Sequence, residues 1–260
     1  MHAPGKIIDP QLLMLAYRSG IFPMADSRED PEVFWVEPRL RAILPLDGFR
    51  CSRSLARTLR RGHFTVTCNA AFDAVMAACA APRRESDETW ISGRIAASYR
   101  ALHEAGQAHS IECWQAGPDG EPLLVGGLYG VGFDRVFCGE SMFSRVPDAS
   151  KVALAWLVAA LRRAGTELLD CQFMTEHLAS LGAVEIPQAR YLALLKQAQR
   201  PAGQSAASGV AAGDDAGVGT GAGAVTGLPA GFAAMLEDAE AAGSSSSPGK
   251  LIAQSLTQMS

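Results

Sequence analysis

Residues 108–143 read AHSIECWQAGPDGEPLLVGGLYGVGFDRVFCGESMF, and the period of this stretch decides the fold. Ala108–Gln115 has strand character, Gly117-Pro118-Asp119-Gly120 is a turn signal, and Leu123–Val131 returns to strand. Gly132-Phe133-Asp134 turns the chain once more into Arg135–Phe143. Three short apolar runs separated by such turns predict an antiparallel meander. Asp148 or Ser150 then starts a helix through Val152, Leu154, Trp156, Leu157 and Leu161 to Gly165, and Glu167–Gln172 returns as a strand. Helical pieces follow at Thr175–Leu181 and Pro187–Gln199. A meander, a helix and a returning strand place the chain in the α+β class, with helices against a mostly antiparallel sheet.

Working back from residue 108, Ser92–Gly106 carries cap and stop signals with Ile95, Tyr99 and Leu102 on one stripe, and Ala70–Ala81 has helical character. His63–Cys68 alternates like a strand. Ser52 caps a helix on which Leu55 and Leu59 face inward, while Arg50, Arg53, Arg57, Arg60 and Arg61 share the remaining surface. Asp9-Pro10 opens a short helix that stops at Gly20, and the prolines that follow predict a small, loop-rich lobe. The expected organisation is a small amino-terminal α/β domain over residues 1–40 and a larger domain over 41–200.

Residues 201–250 differ in kind, with 34 of 50 positions taken by Ala, Gly, Ser or Pro. This composition predicts a disordered tail over 201–260, in which Leu251-Ile252 either docks or frays. Asp214, Asp215, Glu237, Asp238 and Glu240 against Lys250 place the whole net charge of −4 there. The body is neutral, which argues against non-specific coating of polyanions and leaves a local basic patch open. The six cysteines form no CxxC pair and no metal-ligand spacing with histidine, a pattern of reduced cytoplasmic thiols and no metal site. MHAPGKIIDP lacks the roughly 7–15-residue apolar core of a secretion signal. The longest strongly apolar run, Val152–Leu161, is half of the roughly 20 residues that span a bilayer.

Four features carry chemistry. The arginine-rich helix suits phosphate contact or a solvated face. Asp170 and Gln172, at i and i+2 near a strand end, share one face. They form either a polar pair capping the next helix or a device in which the carboxylate turns the Gln172 amide toward an incoming amine. Cys171 between them points away, which makes a Cys171/His177 nucleophile awkward. Glu140, among Phe137, Met142 and Phe143, is costly to bury and calls for a cation, either a ligand or Arg145 or Lys151. Gly139 can bulge that strand and re-aim its side chains. Trp90 stacks a base or fills the core. There is no GxGxxG after a strand and no GxxxxGK[ST], against the usual nucleotide loops.

Gly20-Ile21-Phe22-Pro23, Thr89-Trp90-Ile91, Ala108-His109-Ser110-Ile111-Glu112, Leu124-Val125-Gly126-Gly127-Leu128-Tyr129-Gly130, Phe137-Cys138-Gly139-Glu140-Ser141-Met142-Phe143-Ser144, Ala149-Ser150-Lys151 and Asp170-Cys171-Gln172 stand in that order. Over residues 9–195 the chain resembles the bacterial leucyl/phenylalanyl-tRNA protein transferases. The resemblance implies an enzyme, an aminoacyltransferase moving Leu or Phe from aminoacyl-tRNA to an amino-terminal Arg or Lys and so marking the acceptor for degradation; because apolar pockets separate neighbouring side chains weakly, Met is expected to enter as well. It also implies a GNAT-like larger domain with no cofactor. An acetyl-CoA enzyme would show [RQ]xxGx[GA] before a helix; the nearest approach, Arg162-Arg163-Ala164-Gly165-Thr166-Glu167, fails at its last position.

By the same resemblance Asp170 and Gln172 are the catalytic pair, and Glu140 with Asp170 receives the acceptor. Leu128, Phe137, Met142 and Leu169 form the aminoacyl pocket, and Tyr17, Met24 and Trp90 lie near the 3′ adenosine. For a tRNA substrate, the charge of the arginine-rich helix, and not the resemblance, leads us to expect Arg50, Arg53, Arg57, Arg60 and Arg61 on phosphates of the acceptor stem. Met24 replaces the Trp of some members, and Thr175 stands where Asn is expected. The alternatives are a GNAT-like N-acetyltransferase and a non-catalytic tRNA-binding module.

Overall fold

The three predicted meander strands form, and they lie in the middle of a larger sheet than the sequence suggests. A computed structural model describes residues 7–30, 32–82, 89–201, 227–242 and 247–257. Helix α1 (Pro10–Arg18) begins at Asp9, whose carboxylate accepts from the amides of Gln11 and Leu12. The short strands β1 (Phe22–Met24) and β2 (Phe34–Val36) pair antiparallel on their own. After β3 (Leu40–Ile43) comes α2 (Arg53–Arg61), capped by Ser52 and closed at Gly62 in the left-handed conformation. Strand β4 (Thr65–Cys68) and helices α3 (Phe72–Ala80) and α4 (Gly93–Glu104) lead into β5 (Ala108–Ala116), β6 (Pro122–Phe133) and β7 (Val136–Ser144). The chain continues through α5 (Ala149–Arg163), β8 (Leu168–Gln172), α6 (Glu176–Ser180), β9 (Val184–Pro187) and α7 (Gln188–Ala198).

The sheet order is β4-β5-β6-β7-β8-β3-β9, antiparallel throughout except for β7 and β8. Helix α5 supplies the crossover that a parallel neighbour requires. Its apolar side lies on one face of the sheet with α2; α1, α3, α4 and α7 cover the other. Both faces of the sheet are therefore buried, and α5 is itself buried from Val152 through Leu161 without a break because the carboxy-terminal helical residues, Phe232 against Trp156 among them, cover its outer side. Glu112, fully buried in β5, accepts from Thr67 Oγ1, Ser110 Oγ and the amides of Ala70 and Ala71, and so anchors the start of α3.

Strands β1, β2, β3 and β9 are absent from the sequence expectation. Each is three or four residues long, too short for alternation to register, and β3 carries the buried charge of Arg41. The tail differs more. Within the span expected to be disordered, α8 (Gly227–Ala241) and α9 (Pro248–Thr257) form and dock on the outer side of α5 and on α2. Phe232 packs on Trp156, and Ile252, Ala253 and Leu256 are buried. The apolar positions stand at helical spacing, but the Ala and Gly around them hide the pattern. Residues 202–226 lie outside the described residues.

Candidate active site

Strands β7 and β8 pair at Val136–Leu168, Phe137–Leu169 and Cys138–Asp170 and no further. On the other edge of β7 the register with β6 jumps from Gly130–Gly139 to Tyr129–Ser141, leaving Glu140 as the extra residue of a bulge. Gly130 is required there, because a β-carbon would collide with the Cys138 carbonyl and the Phe137 ring. The bulge inverts the alternation. Phe137 and Met142 now share the α5 face, and Cys138 and Phe143 share the other.

Beyond the last paired residues a cavity of about 410 Å³ opens between the two strand ends. Leu128, Met142 and Leu169 line it with Leu154 and Leu157 of α5. Met24 and Trp90 stand on its wall with Phe22 and Phe173. Two expected members lie elsewhere. Phe137, regularly paired between Gly132 and Leu169 before the bulge, is buried in the α5 core and does not line the cavity. Tyr17 is 1% exposed with its ring edge-on to Tyr99, so it offers no face to a base.

The polar end of the cavity belongs to Glu140. Its carboxylate accepts from Tyr17 Oη at 2.7 Å, Tyr99 Oη at 3.0 Å and Gln172 Nε2 at 2.7 Å, and the two tyrosine hydroxyls also contact each other. Neither Arg145 nor Lys151 reaches it. Arg145 lies over Phe143 and donates to the Leu124 carbonyl, and Lys151 pairs with Asp148. Burial pushes the Glu140 carboxyl up to about 7, against the two tyrosine hydrogen bonds that favour its charge. The same burial raises the phenols of Tyr17 and Tyr99 well above their usual range, so they remain donors.

The expected contact between the Asp170 carboxylate and the Gln172 side chain does not form. Asp170 is fully buried, and its carboxylate is taken by Arg41 Nε and Nη2 at 2.9 and 2.7 Å and by Tyr191 Oη at 3.0 Å. It meets Gln172 only at the backbone amide, at 2.8 Å. The carboxylate that orients the Gln172 carboxamide is Glu140. Because Nε2 donates to Glu140, Oε1 is left as an acceptor for an incoming N–H. Gln172 itself holds φ 58°, a conformation that side chains other than Gly, Asn and Asp seldom take.

Thr175 lines the cavity and caps α6, its Oγ1 accepting from the Leu178 amide at 3.1 Å, so the cap forms with threonine where asparagine was expected. Cys171 also lines the cavity, but burial raises its thiol well above the usual range and withholds the thiolate a nucleophile needs. Arg50, Arg53, Arg57, Arg60 and Arg61 are all exposed, and none forms an ion pair among the described residues. Among those residues no group of three or more His, Cys, Asp or Glu side chains could hold a metal ion. No helix there is long and apolar enough to cross a membrane. The segment Arg162–Glu167 closes α5; the loop that precedes α5 is Arg145–Asp148, where Asp148 holds φ 67°, and Ser144 Oγ accepts from the amide of Ser150 in the first turn.

Sequence reasoning missed Arg41, Tyr99 and Tyr191 as parts of the site. Tyr99 was legible as core, and its buried hydroxyl, which needs a partner, was the available signal. Arg41 was masked by the other arginines near it in sequence.

The family model described as "Leucyl/phenylalanyl-tRNA protein transferase" matches residues 43–196, and that of its N-terminal domain matches residues 7–39. A leucyl/phenylalanyl-tRNA–protein transferase from Novosphingobium aromaticivorans is 69% identical over 97% of both chains. One from Rhizorhabdus wittichii is 57% identical over 78% of this chain and 81% of its own, and one from Zymomonas mobilis is 56% identical over 74% and 70%. A crystal structure of FemX superposes with a TM-score of 0.47 at 12% identity, covering 68% of this chain and 66% of the other.

Proposed function

The chain belongs to the leucyl/phenylalanyl-tRNA protein transferase family, and from that premise we propose that it moves Leu or Phe, and less readily Met, from aminoacyl-tRNA to an amino-terminal Arg or Lys. The acceptor is thereby marked for degradation in the cytoplasm. The observation that carries this reading is the Gln172–Glu140 hydrogen bond at the polar end of an apolar cavity. It puts an amide acceptor for an amine and a carboxylate for a cation beside a pocket for an apolar side chain.

The donor is an activated ester, and the nucleophile is an α-amino group whose ordinary pKa of about 7.7–8 leaves an appreciable neutral fraction. No strong base is needed. Gln172 Oε1 accepts from the amine and aims its lone pair at the ester carbonyl. The new C–N bond forms, the C–O bond to the ribose breaks, and the proton lost by the amine passes to the departing ribose oxygen, directly or through water. Positioning of this kind supplies up to roughly 7–11 kcal/mol. Leu128, Met142 and Leu169 receive the donor side chain, and such a pocket separates neighbours by only about 1–3 kcal/mol per methylene. Trp90 and Met24 flank the 3′ adenosine, with the Met24 thioether covering a ring face. The arginines of α2 hold phosphates of the tRNA.

The test is to incubate the protein with labelled Leu-tRNA and peptides beginning with Arg, Lys or Ala. Label in the Arg and Lys peptides alone is the expected result. Salt-sensitive tRNA binding without transfer would favour a binding module, and acetylation of the peptides from acetyl-CoA would favour an acetyltransferase.

A further inference from the structure

Arg41, 1% exposed in the middle of β3, ties together several parts of the site. Besides its two-pronged contact with Asp170, Nη1 donates to the Gly20 carbonyl at 3.0 Å and Nη2 donates to Tyr191 Oη at 3.3 Å. The guanidinium lies over the rings of Phe22 and Tyr191, 4.7 and 4.5 Å from their centroids. It thus joins the segment carrying Phe22 of the cavity wall, the end of β8, and α7.

We propose that Arg41 is a positioning residue for the transfer: it locks the Asp170 carboxylate so that this holds the Gln172 amide in its left-handed conformation, and it cancels the Asp170 charge so that Glu140 alone presents a negative charge to the acceptor. The inference rests on the transferase reading above. Its first half follows from the chain of contacts Arg41, Asp170, Gln172 N–H. A left-handed residue at a strand end persists only where its surroundings over-determine it, and Asp170 is the group that accepts from its amide. Its second half follows from pairing. A carboxylate without exposure and gripped by a planar fork has no free lone pair on its Arg41 side for a substrate cation. Lysine cannot replace the fork, because one ammonium cannot serve both carboxylate oxygens and the Gly20 carbonyl in the same geometry.

The groups that face Glu140 are Tyr17 of α1, Tyr99 of α4, Tyr129 of β6, Cys138 of β7, Asp170 of β8 and Arg41 of β3. Of these, Asp170 and Arg41 act on it with opposite sign, Asp170 raising its carboxyl and Arg41 lowering it. Removing either one alone therefore displaces the ionisation of Glu140, and removing both restores it.

The experiment follows transfer of Leu from Leu-tRNA to an Arg peptide as a function of pH in the parent and in R41M, R41K, D170N and the double variant R41M/D170N. The parent must transfer label; if it does not, the transferase reading fails and not this inference. With an active parent, R41M is expected to lose about a hundredfold in kcat with the KM for tRNA unchanged, the loss that a small misplacement brings. Its pH limb moves to higher pH and that of D170N to lower pH. In R41M/D170N the introduced carboxamide still accepts from the Gln172 amide and no buried charge is left alone, so the limb returns and kcat recovers in part. R41K keeps the limb and loses kcat. If R41M proves insoluble, the return of the limb from its lowered position in D170N to that of the parent in R41M/D170N carries the test. A rise in the KM for tRNA with every limb unmoved, or a double variant whose limb stays with that of D170N, would overturn the inference.

Discussion

Glu140 is the residue whose charge the site makes expensive, and the cost has a direction. Its carboxyl sits at about 7 in the folded protein against an ordinary 4.5, because burial disfavours the anion. The folded chain then keeps a proton that the unfolded chain gives up. The stability this group contributes is full below about 4.5 and is lost as pH rises through about 7. Glu140→Gln has no such loss, so its melting temperature should gain on that of the parent between about pH 5 and about pH 8. A constant difference in parallel melts across that window would refute the raised ionisation. Gln172 makes a second test. Gln172→Ala and Gln172→Gly should both lose transfer by about a hundredfold, yet the Gly variant should be more stable by about 1 kcal/mol because it tolerates φ 58°. Equal denaturant midpoints would mean that no strain resides there. Both residues were legible in the sequence, an acid among apolar neighbours and an amide two places from an aspartate. Their partners were not: Arg41 meets Asp170 across 129 positions and Tyr17 meets Glu140 across 123, and no local pattern records such pairings.

At the scale of elements, long periodic segments declared themselves. The meander, α5 and β8 follow from alternation, turn residues and caps, and the Asp9, Ser52, Ser92 and Thr175 caps all form as side-chain acceptors. The short strands did not, since three or four residues carry too little period; the bulge that Gly139 made available does form, with Glu140 as its extra residue. Helix α2 carries its own prediction. Its arginines are exposed and its inner side is fixed by Leu55, Ala56 and Leu59, so Arg57→Glu with Arg60→Glu should raise the KM for aminoacyl-tRNA while leaving that for the peptide unchanged. The slope of log KM against log salt should shrink by roughly one for each phosphate that the helix no longer holds. An unchanged slope in a titration of salt would remove α2 from the tRNA interface.

For the whole molecule, the sheet is a wall with a gap. Helices close both faces, and the chain leaves open the place where β7 and β8 stop pairing, which is where Glu140, Gln172 and the apolar cavity meet. Helices α8 and α9 brace the far side of α5 and the inner side of α2. Gly231 approaches the Ala160 carbonyl, and Gly249 that of Leu59, too closely for a β-carbon. Gly231→Val should therefore undock α8 and lower the melting temperature by about 2–4 °C for each kcal/mol of stability removed, with the tail cut sooner by a protease. An unaltered melt would mean that the docking contributes nothing to stability. With Asp170 paired to Arg41, the proposed acceptor rule rests on Glu140 alone. The decisive quantity is the ratio of transfer rates to Arg and Ala peptides, measured side by side in the parent and in Glu140→Gln with Leu-tRNA saturating. A strong preference for Arg in the parent should collapse toward parity in the variant; the same preference in both would contradict a rule set by Glu140.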